Sequence, residues 1–456
     1  MFKRLLTFLV ATFLLSGCTT FGSITNVAKQ LDTNKKSEMT RTQRTDYSIE
    51  SVMIQKPLGK TTLMLAFSGG GSRASALAYG VLQELRDTHI QHKGKRIRLL
   101  DEVDVISSVS GGSFTAAYYG LHGDRTFQKF ESVFLRKDIE SLLIEQALSP
   151  WMWFSDITRT DRAVEFYEET VFKGATFADL QKRNGPLIVI NASDLGSGIR
   201  FSFTQEYFDL LCSDLNHFPL ARAVTASSSV PVLFNPVILK KYHNCVPPTS
   251  NLLLINQNTK NRSQDVNSLQ QGLQAYLNPK SHREYIHLVD GGITDNLGLR
   301  AIYDVMELAG GAKAMLEKVQ QKPVGHFAVI SVNASTKSSG YIGLTNQVPD
   351  IETTINAVSD IQLHRYNTAT TALFQQGLKR WTHTLSNEKQ TVQDYFIEVG
   401  FKDIVEPEKR EFFNRIPTSF VLNKQQADEL INAGRTLLRQ HPVYKTLIKN
   451  LSTPEK

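Results

Sequence analysis

Asp104-Val105-Ile106-Ser107-Ser108-Val109-Ser110-Gly111-Gly112-Ser113 is the stretch on which the reading of this chain turns. An apolar strand stops at a serine, two glycines follow, and Phe114 to Leu121 is compatible with a helix. A serine on a tight strand-to-helix turn is exposed and stands at the positive end of a helix dipole. Small neighbours let substrate and backbone come close. Measured against the Gly-x-Ser-x-Gly elbow, Ser108 takes the place of the first glycine. Taken alone, the Ser-Gly-Gly turn reads as readily as a plain turn.

Two further strand ends give that turn a context. Thr61 to Phe67 is strand-like, Ser68-Gly69-Gly70-Gly71-Ser72-Arg73 follows, and Ala74 to Leu85 reads as a helix. Glycines between a strand and a helix leave backbone N–H groups open to an anion, either a phosphate or the oxyanion of a tetrahedral acyl intermediate. A nucleotide-phosphate loop would require a lysine that is absent, and a dinucleotide fingerprint fails at Ala74. The oxyanion remains, beside the alternative of a close-packed turn. Tyr285 to Val289 is a short strand ending in Asp290-Gly291-Gly292, which places a carboxylate at the rim of a cleft or simply makes a turn.

In this order the pieces resemble the patatin-like phospholipase family. The resemblance runs over residues 60 to 335. It rests on Gly69-Gly70-Gly71-Ser72-Arg73, Ser110-Gly111-Gly112 and Asp290-Gly291-Gly292, on Asn191-Ala192-Ser193-Asp194-Leu195, and on Ala221 to Val237. It implies a Ser-Asp dyad of Ser110 and Asp290, oxyanion donors at Gly69, Gly70 and Gly71 with Arg73 close by, and carboxyl-ester hydrolysis without metal or cofactor. Ser108, Ser68 and Ala74 depart from the family pattern, but all are small. The fold expected is α/β: a three-layer, mostly parallel open sheet with helices on both faces and a helical C-terminal extension. Strands at 61–67, 101–109, 187–192, 285–289 and 326–332 would carry the site at their C-terminal ends.

Around this core, residues 1–18 read as a leader. Lys3-Arg4 precedes an apolar run from Leu5 to Leu15, and Leu15-Ser16-Gly17-Cys18 resembles a bacterial lipobox. The resemblance makes Cys18 the lipid-modified N-terminus of a membrane-anchored protein; an ordinary signal peptide is the alternative. Thr19 after it fits outer-membrane sorting, facing the periplasm or the cell surface. Residues 19–58 are polar and read as a flexible tether. Residues 59–335 form the expected catalytic core, with 247–284 a polar insertion, either a lid or a surface excursion. Residues 336–456 form an extension packed on it. There Ile351, Ile355, Val358, Leu363, Tyr366 and Leu373 make a helical stripe, Tyr395 to Phe401 a strand, and Asn423 the cap of a final helix.

The chain has 456 residues, 41% of them hydrophobic, and a net charge of +7. That charge is modest, and no nucleic-acid motif accompanies it. Its densest basic patch, Lys93 to Arg98, reads as a solvated loop or a contact for anionic head groups. Cys212 and Cys245 flank the Ala221–Pro236 block, and an oxidising compartment would join them; two free thiols are the alternative. No cysteine or histidine spacing suggests a metal site. The substrate expected is a phospholipid or lysophospholipid, with neutral lipids and thioesters open. Two competing readings stand beside this one. In the first, His326, His364, His383 or His441 completes a Ser-Asp-His triad. In the second, the scaffold is an idle envelope lipoprotein that serves only interactions.

Overall fold

The computed structural model describes residues 21–29, 46–138, 158–231, 233–243, 245, 251–253, 264–278, 282–337 and 346–452. Cys18, the rest of the leader, and Leu254 and Ile255 of the insertion lie outside them. Eight strands form the central sheet. They are β1 (Thr62–Phe67), β2 (Val103–Val109), β3 (Leu187–Asp194), β4 (Ile199–Ser202), β5 (Val237–Lys240), β6 (Tyr285–Asp290), β7 (His326–Asn333) and β8 (Gln393–Gly400). Their order is β8-β7-β1-β2-β3-β6-β5, with β4 also paired to β3. From β8 to β3 all neighbours are parallel. Every residue of β1, β2 and β3 is buried, as near-continuous apolar strands between two helical layers must be.

Among the helices are α1 (Ile49–Gln55), α2 (Gly71–Asp87), α3 (Gly111–His122), α4 (Leu220–Ser227), α5 (Gln264–Leu277), α6 (Leu299–Leu308), α7 (Ala312–Lys318), α8 (Ile351–Leu385), α9 (Lys424–Gln440) and α10 (Pro442–Ser452). Alternation along β3 sets the two faces: Ile188 turns to Gly120 of α3, and Val189 to the side of α6 and α7. Each of α2 and α3 starts where a parallel strand ends, so both N-termini point to the same end of the sheet.

Four expectations need correction. First, Asp290 does not end a parallel strand. β3 outruns β2, whose last residue Val109 pairs with Asn191, and this overhang pairs antiparallel with β6, Asp290 opposite Ala192. The aspartate therefore arrives at the level of Ser110 from above. Second, the described residues of 19–58, at 21–29 and 46–58, are docked on the core. Val27–Ala28 pairs with Ser213–Asp214, Asn26 bonds Lys240, and Tyr47, Ile49 and Met53 are buried. Tyr47 hydroxyl accepts from the amide of Ile188 at 2.8 Å. A few anchors suffice where each finds a backbone partner, and a two-residue strand leaves no periodic signal in the sequence. Third, the extension is part of the catalytic layers: β8 is an edge strand of the same sheet, and α9 crosses α2 where Gly80 meets Ile431 and Gly434 meets Leu77. Asn423 does cap α9, but α10 follows it. Fourth, the side chains of Ile351, Ile355 and Val358 lie outside the described residues, and in the rest of the α8 stripe Leu363 and Leu373 are half-buried while the fully buried positions are others. Asn367, Thr370, Phe374, Leu378 and Trp381 are buried while Tyr366 is exposed.

The described part of 247–284 is anchored. Leu252 and Leu253 are buried, and Tyr276 on α5 donates to Asp194 at 2.9 Å. The basic patch is the second strand of a hairpin, His89–His92 with Lys95–Arg98. Cys212 and Cys245 are joined by a disulfide, Cα atoms 5.5 Å apart.

Candidate active site

Ser110 follows β2 directly and caps α3 with φ 49° and ψ −124°. That conformation is strained for any residue with a side chain. The strain persists because the surroundings fix it. The Ser110 amide donates to Ser227 Oγ at 2.8 Å, and Ser227 in turn donates to the carbonyl of Asn191 at 2.6 Å. The Ser113 amide closes the turn on the Ser110 carbonyl at 2.9 Å. Gly111 must be a glycine: a Cβ there would stand 1.9 Å from the carbonyl oxygen of Gly71. The two strand-to-helix turns thus lie backbone against backbone.

Asp290 faces the serine. Ser110 Oγ donates to Asp290 Oδ2 at 2.8 Å, and the Gly292 amide donates to Asp290 Oδ1 at 2.7 Å. Burial pushes the carboxyl up to about 6, against the opposing pull of those two donors. A carboxylate so tuned is a usable base near neutral pH. The strand end carrying it is pinned by α4, since the amides of Asp290 and Gly291 donate to the carbonyls of Ser229 and Ser227 at 2.9 and 3.0 Å. Residues 227–229 therefore hold both members of the pair.

The glycine turn between β1 and α2 divides its tasks. Gly69 lies beside Ser110 Cβ, but its amide donates to the carbonyl of Asn296 at 3.0 Å, so it is not a free oxyanion donor. Gly70 and Gly71, with φ 130° and 60°, have amides without a hydrogen-bond partner among the described residues. Arg73 is also reassigned. Its guanidinium is buried and turned away to the carbonyls of Ala334 and Ile416 and to Thr418 Oγ1, so it braces the glycine turn from behind. The Ser72 amide donates to the carbonyl of Ser419 at 2.8 Å, and a Cβ on Gly71 would stand 2.3 Å from that oxygen.

Sequence reasoning assigned no role to Ser227, Asn191, Asn296 or Ser419. Asn191 and Ser227 fall in blocks that carried the resemblance, which was the signal for them. Asn296 Oδ1 points between Gly69 and Gly292, and its amide nitrogen donates to Ser335 Oγ at 3.2 Å. The four candidate histidines are engaged or placed elsewhere. His326 begins β7 at the opposite end of the sheet and meets Tyr395, His364 bonds the carbonyl of Thr336, His441 accepts from the amide of Val443, and His383 lies in the last turn of α8.

Among solved structures, the chain is similar to human GIVD cytosolic phospholipase A2 at 12% identity and TM-score 0.43, over 95% of this chain and 68% of that one. The same human enzyme bound to methyl gamma-linolenyl fluorophosphonate matches at 13% identity and TM-score 0.35, over 90% of this chain and 62% of that one. VipD from Legionella pneumophila matches at 11% identity and TM-score 0.31, over 86% and 67%. No curated protein sequence matches the chain. The family model of the patatin-like phospholipases matches residues 65–303, which takes in both glycine turns, Ser110 and Asp290. The chain belongs to the patatin-like phospholipase family.

Proposed function

We propose that this protein is a lipid acyl hydrolase that cleaves carboxyl esters of phospholipid or lysophospholipid through Ser110 and Asp290. Family membership supports lipid hydrolysis in general. The observation that carries the mechanism is the 2.8 Å hydrogen bond from Ser110 Oγ to a buried carboxylate on a strained strand-to-helix turn. Asp290 takes the Ser110 proton as Oγ attacks the ester carbonyl carbon. The amides of Gly70 and Gly71, with the N-terminus of α3, hold the developing oxyanion. Collapse of the intermediate breaks the ester C–O bond, and the leaving alcohol takes the proton from Asp290. Water then attacks the acyl-enzyme and gives its proton to Asp290. The second collapse releases the fatty acid and returns a proton to Ser110. The engagement of the candidate histidines elsewhere favours this dyad over a triad.

The reading includes a lipid anchor at Cys18, hence an envelope location at a membrane. Asn26 docks on Lys240, and Lys240 pairs with Tyr285. Tyr285 lies five residues before Asp290 on β6, roughly 17 Å beyond it on the catalytic end of the sheet. An anchor eight residues before Asn26 reaches at most roughly 28 Å from there. The site would face the membrane that holds it. Treating the purified protein and its Ser110→Ala variant with a fluorophosphonate tests the core of the reading. We expect an adduct on Ser110 by mass spectrometry, absent in the variant; an unlabelled, folded protein would favour the idle scaffold.

A further inference from the structure

We infer that Asn296 is a catalytic residue of the second half-reaction: its side-chain oxygen holds one hydrogen of the attacking water while Asp290 removes the other. This role rests on the proposed acyl-enzyme at Ser110 and concerns its hydrolysis alone.

From Asp290 the chain makes a single helical turn, Gly292–Asp295, in which the Asp295 amide donates to the carbonyl of Gly291 at 2.9 Å. The turn brings Asn296 back beside the carboxylate. Asn296 is buried, and the two ends of its amide meet different surroundings. Nδ2 donates to Ser335 Oγ at 3.2 Å and stands 3.5 Å from Asn367 Oδ1. Asn367 Nδ2 donates to the same serine oxygen at 3.0 Å, which accounts for a buried asparagine on α8. A flipped Asn296 amide would set oxygen against oxygen at Asn367, so the nitrogen belongs on that side. Oδ1 faces the other way and accepts no hydrogen bond among the described residues.

Two glycines show where that oxygen points. A Cβ on Gly69 would stand 2.8 Å from Asn296 Oδ1 and 3.3 Å from Ser110 Cβ. A Cβ on Gly292 would stand 3.2 Å from Asn296 Oδ1 and 3.0 Å from Asp290 Oδ1. An atom in this notch therefore touches the amide oxygen together with the nucleophile or the base. Gly69 and Gly292 keep the notch open by having no side chain.

The two half-reactions differ in how many hydrogens they bring. Serine and the leaving alcohol each transfer one, and Asp290 handles it. Water carries two. Once Ser110 Oγ is esterified, Asp290 Oδ2 has lost the donor it holds in the free enzyme and can accept one water hydrogen. Asn296 Oδ1 accepts the second, which turns a lone pair of the water onto the acyl carbonyl carbon. As the new C–O bond forms, the first hydrogen passes to Asp290 as a proton. The bond from carbon to Ser110 Oγ then breaks, Asp290 returns its proton to Oγ, and the second hydrogen leaves on the carboxyl group of the fatty acid.

Methanol separates the two roles, because it brings one hydrogen for Asp290 and none for Asn296. The full chain and its variants are given p-nitrophenyl butyrate with a fixed share of methanol at about pH 8, where carboxylates are ionised, and methyl butyrate and butyric acid are quantified. Asn296→Ala should raise the ratio of methyl butyrate to butyric acid by about tenfold, the scale of one hydrogen bond to the attacking group. Asn296→Asp keeps an acceptor in the notch and should hold the ratio within about twofold of the unsubstituted chain. Only active molecules contribute to the ratio, so a partly unfolded preparation does not move it. Asn296→Leu, close in volume, replaces the alanine variant if that one does not fold. An unchanged ratio in the alanine or leucine variant, or an equal rise in Asn296→Asp, overturns the inference alone. A folded, unsubstituted chain that forms neither product overturns the catalytic reading, and the role of Asn296 falls with it.

Discussion

The two strand-to-helix turns, Ser68–Ser72 and Val109–Ser113, look alike in sequence and differ in what holds them. The Ser110 turn is gripped by the core: Ser227 takes its amide, Asn191 takes Ser227, and Gly71 lies against Gly111. The glycine turn is gripped from the far end of the chain, by Ser419 on Ser72 and by Ile416 and Thr418 on Arg73. One turn presents a side chain, and the amide and carbonyl of that serine are both engaged. The other presents N–H groups, so its amides at Gly70 and Gly71 stay open while everything around them is tied down. The same local signature thus serves two different tasks, and the partners decide which.

The comparison breaks most severely at the pair itself. Asp290→Asn should lower ester hydrolysis by on the order of 10⁴-fold, since the remaining amide cannot accept the Ser110 proton. The same change should stabilise the fold at neutral pH. With its folded value raised to about 6, Asp290 binds a proton more readily in the folded state than in the unfolded one. Folding stability from this group is therefore full below about pH 4 and is lost as pH rises through about 6. Thermal melts of the two proteins should differ by on the order of 2 to 3 kcal/mol at pH 8 and converge near pH 4. Activity runs the other way, falling about tenfold per unit as pH drops below about 6, because the base is then protonated. A rate that stays flat down to pH 4 would remove Asp290 from the role of base.

Gly71→Ala attacks the other turn. Its Cβ meets the Ser419 carbonyl and its φ of 60° disfavours a side chain, so the amide row must shift. We expect a loss of about 10² to 10³ in kcat, the scale of one lost oxyanion donor, and reduced but measurable labelling of Ser110 by fluorophosphonate. Unchanged kcat would move the oxyanion site elsewhere. Ser227→Ala separates positioning from chemistry. It strands the Ser110 amide and the Asn191 carbonyl and should destabilise the fold by about 1 to 3 kcal/mol. The shifted elbow should lower kcat by about tenfold with KM little changed, because the hydroxyl touches no substrate. Smallest in its effect on turnover is reduction of the Cys212–Cys245 bridge, whose sequence separation of 33 spans α4 and Ser227, because the hydrogen bonds that tie Ser227 and Ser229 to the pair do not pass through the sulfur atoms. Chemical denaturation should register a loss of about 3 to 4 kcal/mol, with initial rates at low temperature almost unchanged.

What could be read in the sequence follows the same division. Ser110, Asp290 and the three glycines stand at strand ends, where glycine and a lone polar residue punctuate an apolar run, and that signal is local. The parallel strands were legible for the same reason, because burial on both faces makes them apolar throughout. The antiparallel arrival of β6 was not, since a strand's own residues do not reveal which neighbour overhangs. Arg73 sits inside the motif, yet its function is set by acceptors 261 and 345 residues away. Ser419 and Asn296 are polar residues in polar surroundings until the fold assembles them. On α8 the apolar spacing placed Tyr366 inside, where it is exposed, because the buried face there includes Asn367 and Thr370, two polar residues that hydropathy counts as surface.

The hold of Ser419 on the glycine turn has a consequence for the order of biosynthesis. Ser419 is encoded after more than nine-tenths of a 456-residue chain, whereas Ser110 and Asp290 are made long before. A nascent chain, or one cut short, would carry Ser110 and Asp290 without the clasp that shapes the anion-binding row. A lipid hydrolase would then be born unarmed and become competent only once its last helices have closed over the second turn.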